Sequence, residues 1–284
     1  MLKWARRQKD PGREAGETAA EPRSFHLAEG ERVYAIGDVH GRFDLLFGLL
    51  GKIKGQEAGR PPANTTIVML GDLIDRGPDS AAVVQFLMRW ERAWARIVAL
   101  KGNHEEKLVR LLEGESVHWG DWLAVGGAET LHSYGVSDEL IRTAQTGVLT
   151  EAARSEIPMA HQRWLRSLAS HWQCGDYLFV HAGVKPGVPI PEQKERDLFT
   201  IRSEFLDSDA DHGLMVVHGH SVEPLVDHRA NRIGIDTGAW HTGKLTAIGI
   251  EGAETWFITQ VGLPGDARNH IGSGGNAGGA SFAK

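Results

Sequence analysis

Short apolar runs alternate with longer stretches of helical spacing between two polar ends. Residues 33–36, 66–70 and 97–100 are near-continuous apolar runs, the pattern of strands buried on both faces. Residues 43–53, 80–90 and 106–112 place apolar side chains three and four apart, which predicts a helix after each strand. This βαβαβ alternation predicts a parallel sheet with ligands at the carboxyl ends of its strands. Residues 113–173 are rich in Trp, Glu and Arg, keep helical spacing and contain no cluster of metal-type residues. They are expected to form a helical insertion or cap. Apolar runs then resume at 177–180, 214–217, 232–235, 245–250 and 255–258, closely spaced as in a mixed or antiparallel sheet. Residues 1–30 and 262–284 lack apolar periodicity and are expected to be disordered tails, leaving a domain over 31–261.

Composition narrows the function classes. The chain has 284 residues, 41% hydrophobic and 24% charged, with a net charge of −6. A chain of this length can bury a sizeable core, and the charge gives no basic field for nucleic acid. No apolar run reaches the roughly 20 residues of a membrane span. The basic start of the chain is not followed by the apolar segment of a signal peptide. Cys174 is the single cysteine, so an intramolecular disulfide is impossible and a reducing cytoplasm is the expected location. Cys174 also has no basic neighbours in sequence, which argues against a cysteine nucleophile.

The chemistry is concentrated in five glycine-flanked segments: Gly37-Asp38-Val39-His40-Gly41, Gly71-Asp72-Leu73-Ile74-Asp75-Arg76-Gly77, Gly102-Asn103-His104-Glu105, His181-Ala182-Gly183 and His218-Gly219-His220. Most follow a predicted strand. Aspartate, histidine and asparagine suit divalent manganese, iron or zinc, and a pair of such ions about 3.5–4 Å apart can clamp a phosphate. Asp38 and His40 flank one residue at strand spacing, so both are expected to face one ion. The two oxygens of Asp72 suit it to bridge two ions. Asn103, His181 and His220 follow other strands and suit the second. Any one of these segments could be only a strand-to-turn junction; the five in order point to a metal site.

The first three segments resemble the signature blocks of the calcineurin-like metallophosphoesterases, and more narrowly of the phosphoprotein phosphatases in their bacterial and phage-like branch. The resemblance runs from about residue 33 to 258. It implies an α/β fold, a four-layer αββα sandwich of two mixed sheets carrying the helical insertion, with a dimetal site on one edge. It implies that Asp38, His40 and Asp72 hold one ion and Asp72, Asn103, His181 and His220 the other, with manganese first and iron or zinc as alternatives. A metal-bridging hydroxide would attack phosphorus while His104, oriented by Asp75, protonates the leaving oxygen. Arg76 and Arg202, with Asn103, would bind the substrate phosphate, since the guanidinium fork fits phosphate oxygens in bidentate fashion. Other readings stay open for three residues. His104 could be a metal ligand, Arg202 could pair with Glu204 or Asp207, and His218 is read as a strand or supporting histidine.

The expected activity is metal-dependent hydrolysis of a phosphate monoester, with phosphoserine or phosphothreonine in a protein as the favoured substrate. The intact Asp75-Arg76-Gly77 favours it over the alternative, a dinucleoside polyphosphate of the diadenosine tetraphosphate type. A non-catalytic phosphate-binding scaffold ranks below both, because every catalytic position is filled. Trp119, Trp122 and Trp164 are either core or a substrate wall, with core preferred. No chemistry is assigned to Asp236-Thr237-Gly238.

Overall fold

The computed structural model describes residues 24–115 and 117–265. Along the chain come β1 (Glu31–Ile36), α1 (Phe43–Glu57), β2 (Asn64–Met69), α2 (Ser80–Met88), β3 (Arg96–Ala99) and α3 (Asn103–Glu113). The insertion follows as α4 (Trp119–Trp122), a kinked turn (Leu123–Gly127), α5 (Ala128–Ser133), α6 (Asp138–Thr143), α7 (Thr146–Glu156) and α8 (Met159–Ser167). The remainder is β4 (His171–Cys174), β5 (Tyr177–Val180), α9 (Glu195–Thr200), α10 (Ser203–Leu206), β6 (Met215–His218), β7 (Asp227–His228), β8 (Arg232–Gly234), α11 (Ala239–Thr242), β9 (Lys244–Glu251) and β10 (Glu254–Val261).

The strands form two five-stranded mixed sheets, ordered β10-β9-β1-β2-β3 and β4-β5-β6-β8-β7. In the first sheet β1, β2 and β3 are parallel and β9 and β10 join antiparallel on the β1 side; in the second β5, β6 and β8 are parallel and the outer strands β4 and β7 antiparallel. Strand alternation builds the layers. Val33, Ala35, Val68, Ile248 and Ile250 of the first sheet meet Tyr177, Phe179, Val217 and Ile233 of the second in one buried cluster. Tyr34, Ile36, Ile67 and Met69 point the other way, onto Leu45, Leu46 and Leu49 of α1 and Val83 of α2. Leu178, Val180 and Val216 cover the outer face of the second sheet with Leu198, Phe199 and Phe205. The result is helices, sheet, sheet, helices. The parallel strands read as near-continuous apolar runs because both of their faces are covered.

Three expectations shift. Phe25 and Leu27, inside the expected N-terminal tail, are buried between the sheets, and Leu27 N–H donates to Gly252 O at 2.9 Å. At the other end Arg42 Nη2 donates to Leu263 O at 2.8 Å, so packed chain reaches past residue 261. The remaining parts of both tails, 1–23 and 266–284, lie outside the described residues. Residues 171–173, taken as the end of the insertion, are β4, an outer strand whose His-Trp-Gln-Cys sequence offers no apolar run. Finally, α3 begins at Asn103, earlier than the expected 106. Glu105 produces that early start: its carboxylate accepts Gly102 N–H at 2.8 Å, satisfying a donor the helix leaves free.

Candidate active site

The site forms where the loops after β1, β2, β5 and β6 meet the first turn of α3. The loops are tied together by backbone: His40 N–H donates to Asp72 O at 2.8 Å and Gly219 N–H to His181 O at 2.8 Å. Glu105, buried, clamps the second loop from below. It accepts the N–H groups of Asp72 (2.9 Å), Leu73 (2.8 Å) and Ile74 (3.1 Å) besides that of Gly102. The non-glycine residues with positive φ among those described are His40, Asp72, Asp75, Arg76 and His220, all of them candidate site residues. Each such conformation costs on the order of 1–3 kcal/mol, so the surrounding hydrogen bonds hold the backbone where relaxation would not leave it.

Asp72 is the centre. Its Oδ2 lies 3.6 Å from His40 Nε2 and 3.7 Å from His104 Nε2, and its Oδ1 3.4 Å from His181 Nε2. Two groups of donors share it: His40, Asp72 and His104, and Asp72, His181 and His220, each with one atom per residue within 4.8 Å of the others. The histidines are oriented for ligation. His40 Nδ1 sits 2.8 Å from Ile74 O and His181 Nδ1 2.9 Å from Leu70 O. A carbonyl only accepts, so both Nδ1 atoms carry the proton and both Nε2 lone pairs face Asp72. Burial lowers the pKa of both rings. It pushes His220 down to about 2, with His181 adding to the effect. Burial alone would raise Asp72, but His181, His104 and His40 around it hold its carboxyl below the usual range. The neutral imidazoles of His40, His181 and His220 around one ionised carboxylate make a donor set that fits a divalent transition ion.

The chain turns at His40 instead of continuing as a strand. Asp38 lies outside both donor groups, its oxygens 3.1 Å from His220 N–H. Burial, Asp236 and Asp72 raise its pKa well above normal. Asn103 Oδ1 is 3.0 Å from His181 Nε2. Asn103 and His104, ahead of the helix expected from 106, occupy its first turn, where successive side chains diverge by roughly 100°. His104 Nδ1–H donates to Asp75 Oδ2 at 2.6 Å. Burial works against charging His104, yet Asp72 and Asp75 beside it raise its pKa.

Arg76 Nη1 lies 2.9 Å from His40 Nε2 and Nη2 3.3 Å from His104 Nε2. Arg202 is exposed, and its Nη1 donates to Ser221 Oγ at 3.4 Å. Glu204, its sequence-level alternative partner, pairs with Lys185 at 3.4 Å. His218 is buried with Nδ1 3.0 Å from Gly219 O and its ring edge-on to Phe205, as a supporting histidine would be. Three residues escaped the sequence reading. Trp122 and Thr130 bond the Asp75 carboxylate, and Asp236 sits against Asp38, its own pKa pushed up to about 6, mainly by burial. Only the placement of Asp236 just after a predicted strand gave a signal. Trp122 and Trp119 are core, and Trp164 is packed against it. The aromatic residue that faces the site is Trp240, with its ring centroid 5.2 Å from the Arg76 guanidinium carbon.

The profile of the family described as calcineurin-like phosphoesterase matches residues 31–232. The chain belongs to that family. Its members are metal-dependent phosphoester hydrolases, and the two mixed sheets carry the family's sandwich. Among relatives, the asymmetrical bis(5'-nucleosyl)-tetraphosphatase PrpE of Bacillus velezensis is 25% identical over 252 residues, covering 82% of this chain and 94% of its own. A symmetrical bis(5'-nucleosyl)-tetraphosphatase of Acidovorax is 31% identical over 156 residues, 54% of this chain and 44% of that one. Serine/threonine-protein phosphatase 1 of Salmonella typhimurium is 36% identical over 95 residues, 32% of this chain and 39% of its own. A crystal structure described as a putative diadenosine tetraphosphatase shares the fold, with a TM-score of 0.56 and 21% identity, covering 84% of this chain and 99% of that one. Among the described residues no helix is long and apolar enough to cross a membrane.

Proposed function

We propose that this metallophosphoesterase hydrolyses a dinucleoside polyphosphate of the diadenosine tetraphosphate type. The observation that carries the choice is the wall of the cleft beside Arg76. Trp240, His241, Val125 and Val222 line about 550 Å³ there, next to the arginine proposed to bind phosphate. A nucleotide needs a cation for its phosphates and a flat apolar face for its base. Base–aromatic stacking contributes about 1–3 kcal/mol. The similarity to a tetraphosphatase along 94% of that relative's length supports the same reading. The protein-phosphatase reading favoured by Asp75-Arg76-Gly77 becomes the second. It is supported by the Salmonella relative and by a larger open cavity of about 730 Å³ that reaches His218 and Ser221 and is lined by Asp207, Asp209 and Glu223, with room for a peptide.

In the proposed roles, His40, Asp72 and Asp38 would hold one divalent ion, and Asp72, Asn103, His181 and His220 would hold the other. Manganese is the first choice. When bound, the ions supply positive charge to the phosphate and lower the pKa of a water. The lone pair of His40 Nε2 serves one partner at a time, so an ion there frees the Arg76 guanidinium for phosphate oxygens. Arg202 and Asn103 approach the same space from the His181 side. His104 donates its Nε2 proton to the leaving oxygen, and Asp75 fixes its tautomer from Nδ1.

The deciding experiment measures kcat/KM for diadenosine tetraphosphate beside phosphoserine, phosphothreonine and phosphotyrosine peptides, on wild type and Trp240→Ala. A dinucleotide preference above about 10²-fold is expected, worth some 2.7 kcal/mol of transition-state binding. Trp240→Ala should reduce it by roughly 5- to 150-fold, chiefly through KM. A comparable preference for a phosphopeptide would overturn the reading.

A further inference from the structure

Asp75 is fully buried, and the partners of its carboxylate come from both sides of a boundary in the chain. His104 Nδ1 and Trp122 Nε1 each donate to Oδ2 at 2.6 Å. Thr130 Oγ1 donates to Oδ1 at 2.6 Å and accepts the Asp75 N–H at 2.9 Å. Trp122 and Thr130 belong to the insertion, on α4 and α5. The kinked turn between those helices holds the next residue of the loop: Arg76 N–H donates to Gly126 O at 2.9 Å. The approach is possible only because the turn carries two glycines. A Cβ on Gly126, whose φ is 105°, would lie 2.5 Å from Arg76 Cγ, and a Cβ on Gly127 2.3 Å from the Trp122 ring.

We infer that Trp122 and Thr130 are positioning residues for the proton donor: the start of the insertion holds the Asp75 carboxylate against His104, so the insertion builds part of the catalytic machinery as well as covering it. The physical reason is the cost of burying a carboxylate. Burial favours its neutral form, and hydrogen bonds from His104, Thr130 and Trp122 oppose that. Each donor to a buried charge is charge-assisted and strong. Without Trp122 and Thr130 the carboxylate is free to protonate or rotate, and a His104 that has lost its fixed anionic partner is a poorer donor to the leaving oxygen. The inference rests on His104 acting as that donor.

The test exploits leaving-group chemistry. A good leaving group departs with little help from an acid, whereas a poor one needs it. Turnover of 4-nitrophenyl phosphate and of phenyl phosphate is measured on the manganese-loaded full chain for Trp122→Phe and Thr130→Val, which delete the donors; Thr130→Val keeps the shape and Trp122→Phe keeps an aromatic ring. Trp119→Phe is the control, because it also removes a buried indole N–H, the one donated to Thr150 Oγ1 at 3.0 Å. Trp122→Phe and Thr130→Val should each lose about tenfold or more in kcat on phenyl phosphate beyond any loss on the nitrophenyl ester, with KM within about twofold. Thr130→Ser should restore the wild-type ratio, and Trp119→Phe should keep it. Equal losses on both esters, or the same bias from Trp119→Phe, would overturn the inference. His104→Asn separates the layers. If it shows the bias while Trp122→Phe and Thr130→Val do not, only the positioning role is wrong. If His104→Asn shows no bias, the proton-donor role fails and the positioning role with it.

Discussion

Asp72 presents one oxygen to His181 and the other to His40 and His104, so a single side chain joins two donor groups. Asp72→Asn should therefore lose metal together with activity, as read by elemental analysis of the purified variant. His104→Asn should keep its metal and lose roughly 10²–10⁴-fold in kcat, the range of general acid–base help. If His104→Asn loses the metal and Asp72→Asn retains it, the two roles are reversed. Glu105 is a different kind of residue. It touches no substrate, yet four backbone N–H groups end on it. Glu105→Gln places an amide NH₂ where an acceptor is required, and should cost on the order of 1–3 kcal/mol in urea unfolding. A variant as stable as wild type would show that the loop is held by something else. At this scale the sequence was most informative about short-range chemistry. Asp38, His40, Asp72, Asn103, His104, His181 and His220 all reach one site. What the sequence could not show were partners far along the chain. Trp122 and Thr130 lie 47 and 55 positions from Asp75, and no local pattern links them.

The elements that carry the site are loops at strand ends, and their glycines mark close approaches. A Cβ on Gly219 would lie 2.0 Å from Asp38 Oδ1, closer than any packed pair of atoms allows. Gly219→Ala should therefore displace Asp38 and weaken metal binding by about tenfold or more, since a disturbed ligand shell typically costs 10–100-fold in affinity. Competition against a chromophoric chelator measures it, and an unchanged affinity would place Asp38 outside the metal shell. The strands buried on both faces were legible as apolar runs. The outer strand β4 was not, because one-sided pairing tolerates His, Gln and Cys. The start of α3 was missed because its first turn holds Asn103 and His104, polar residues recruited to the site, so the apolar period begins only later in the helix. The insertion is helical between Trp119 and Ser167. Its contact with the catalytic loop depends on a kink at Gly126 that helical periodicity does not reveal.

The molecule as a whole places two sheets face to face, and the parallel centre of each sends its loops toward the same edge. That is why segments as distant as Asp38 and His220 converge, and why the fold was readable from the order of apolar runs and the family resemblance together. The central claim is that the convergence exists to hold two ions. Metal-stripped protein, titrated with manganese while bound metal and phosphoester hydrolysis are followed together, tests it most directly. The account predicts no turnover in chelator, and activity that rises to a plateau as about two ions bind per chain, with manganese more effective than magnesium because histidine favours transition ions. Full activity in strong chelator, with no metal detected in the protein, would contradict it.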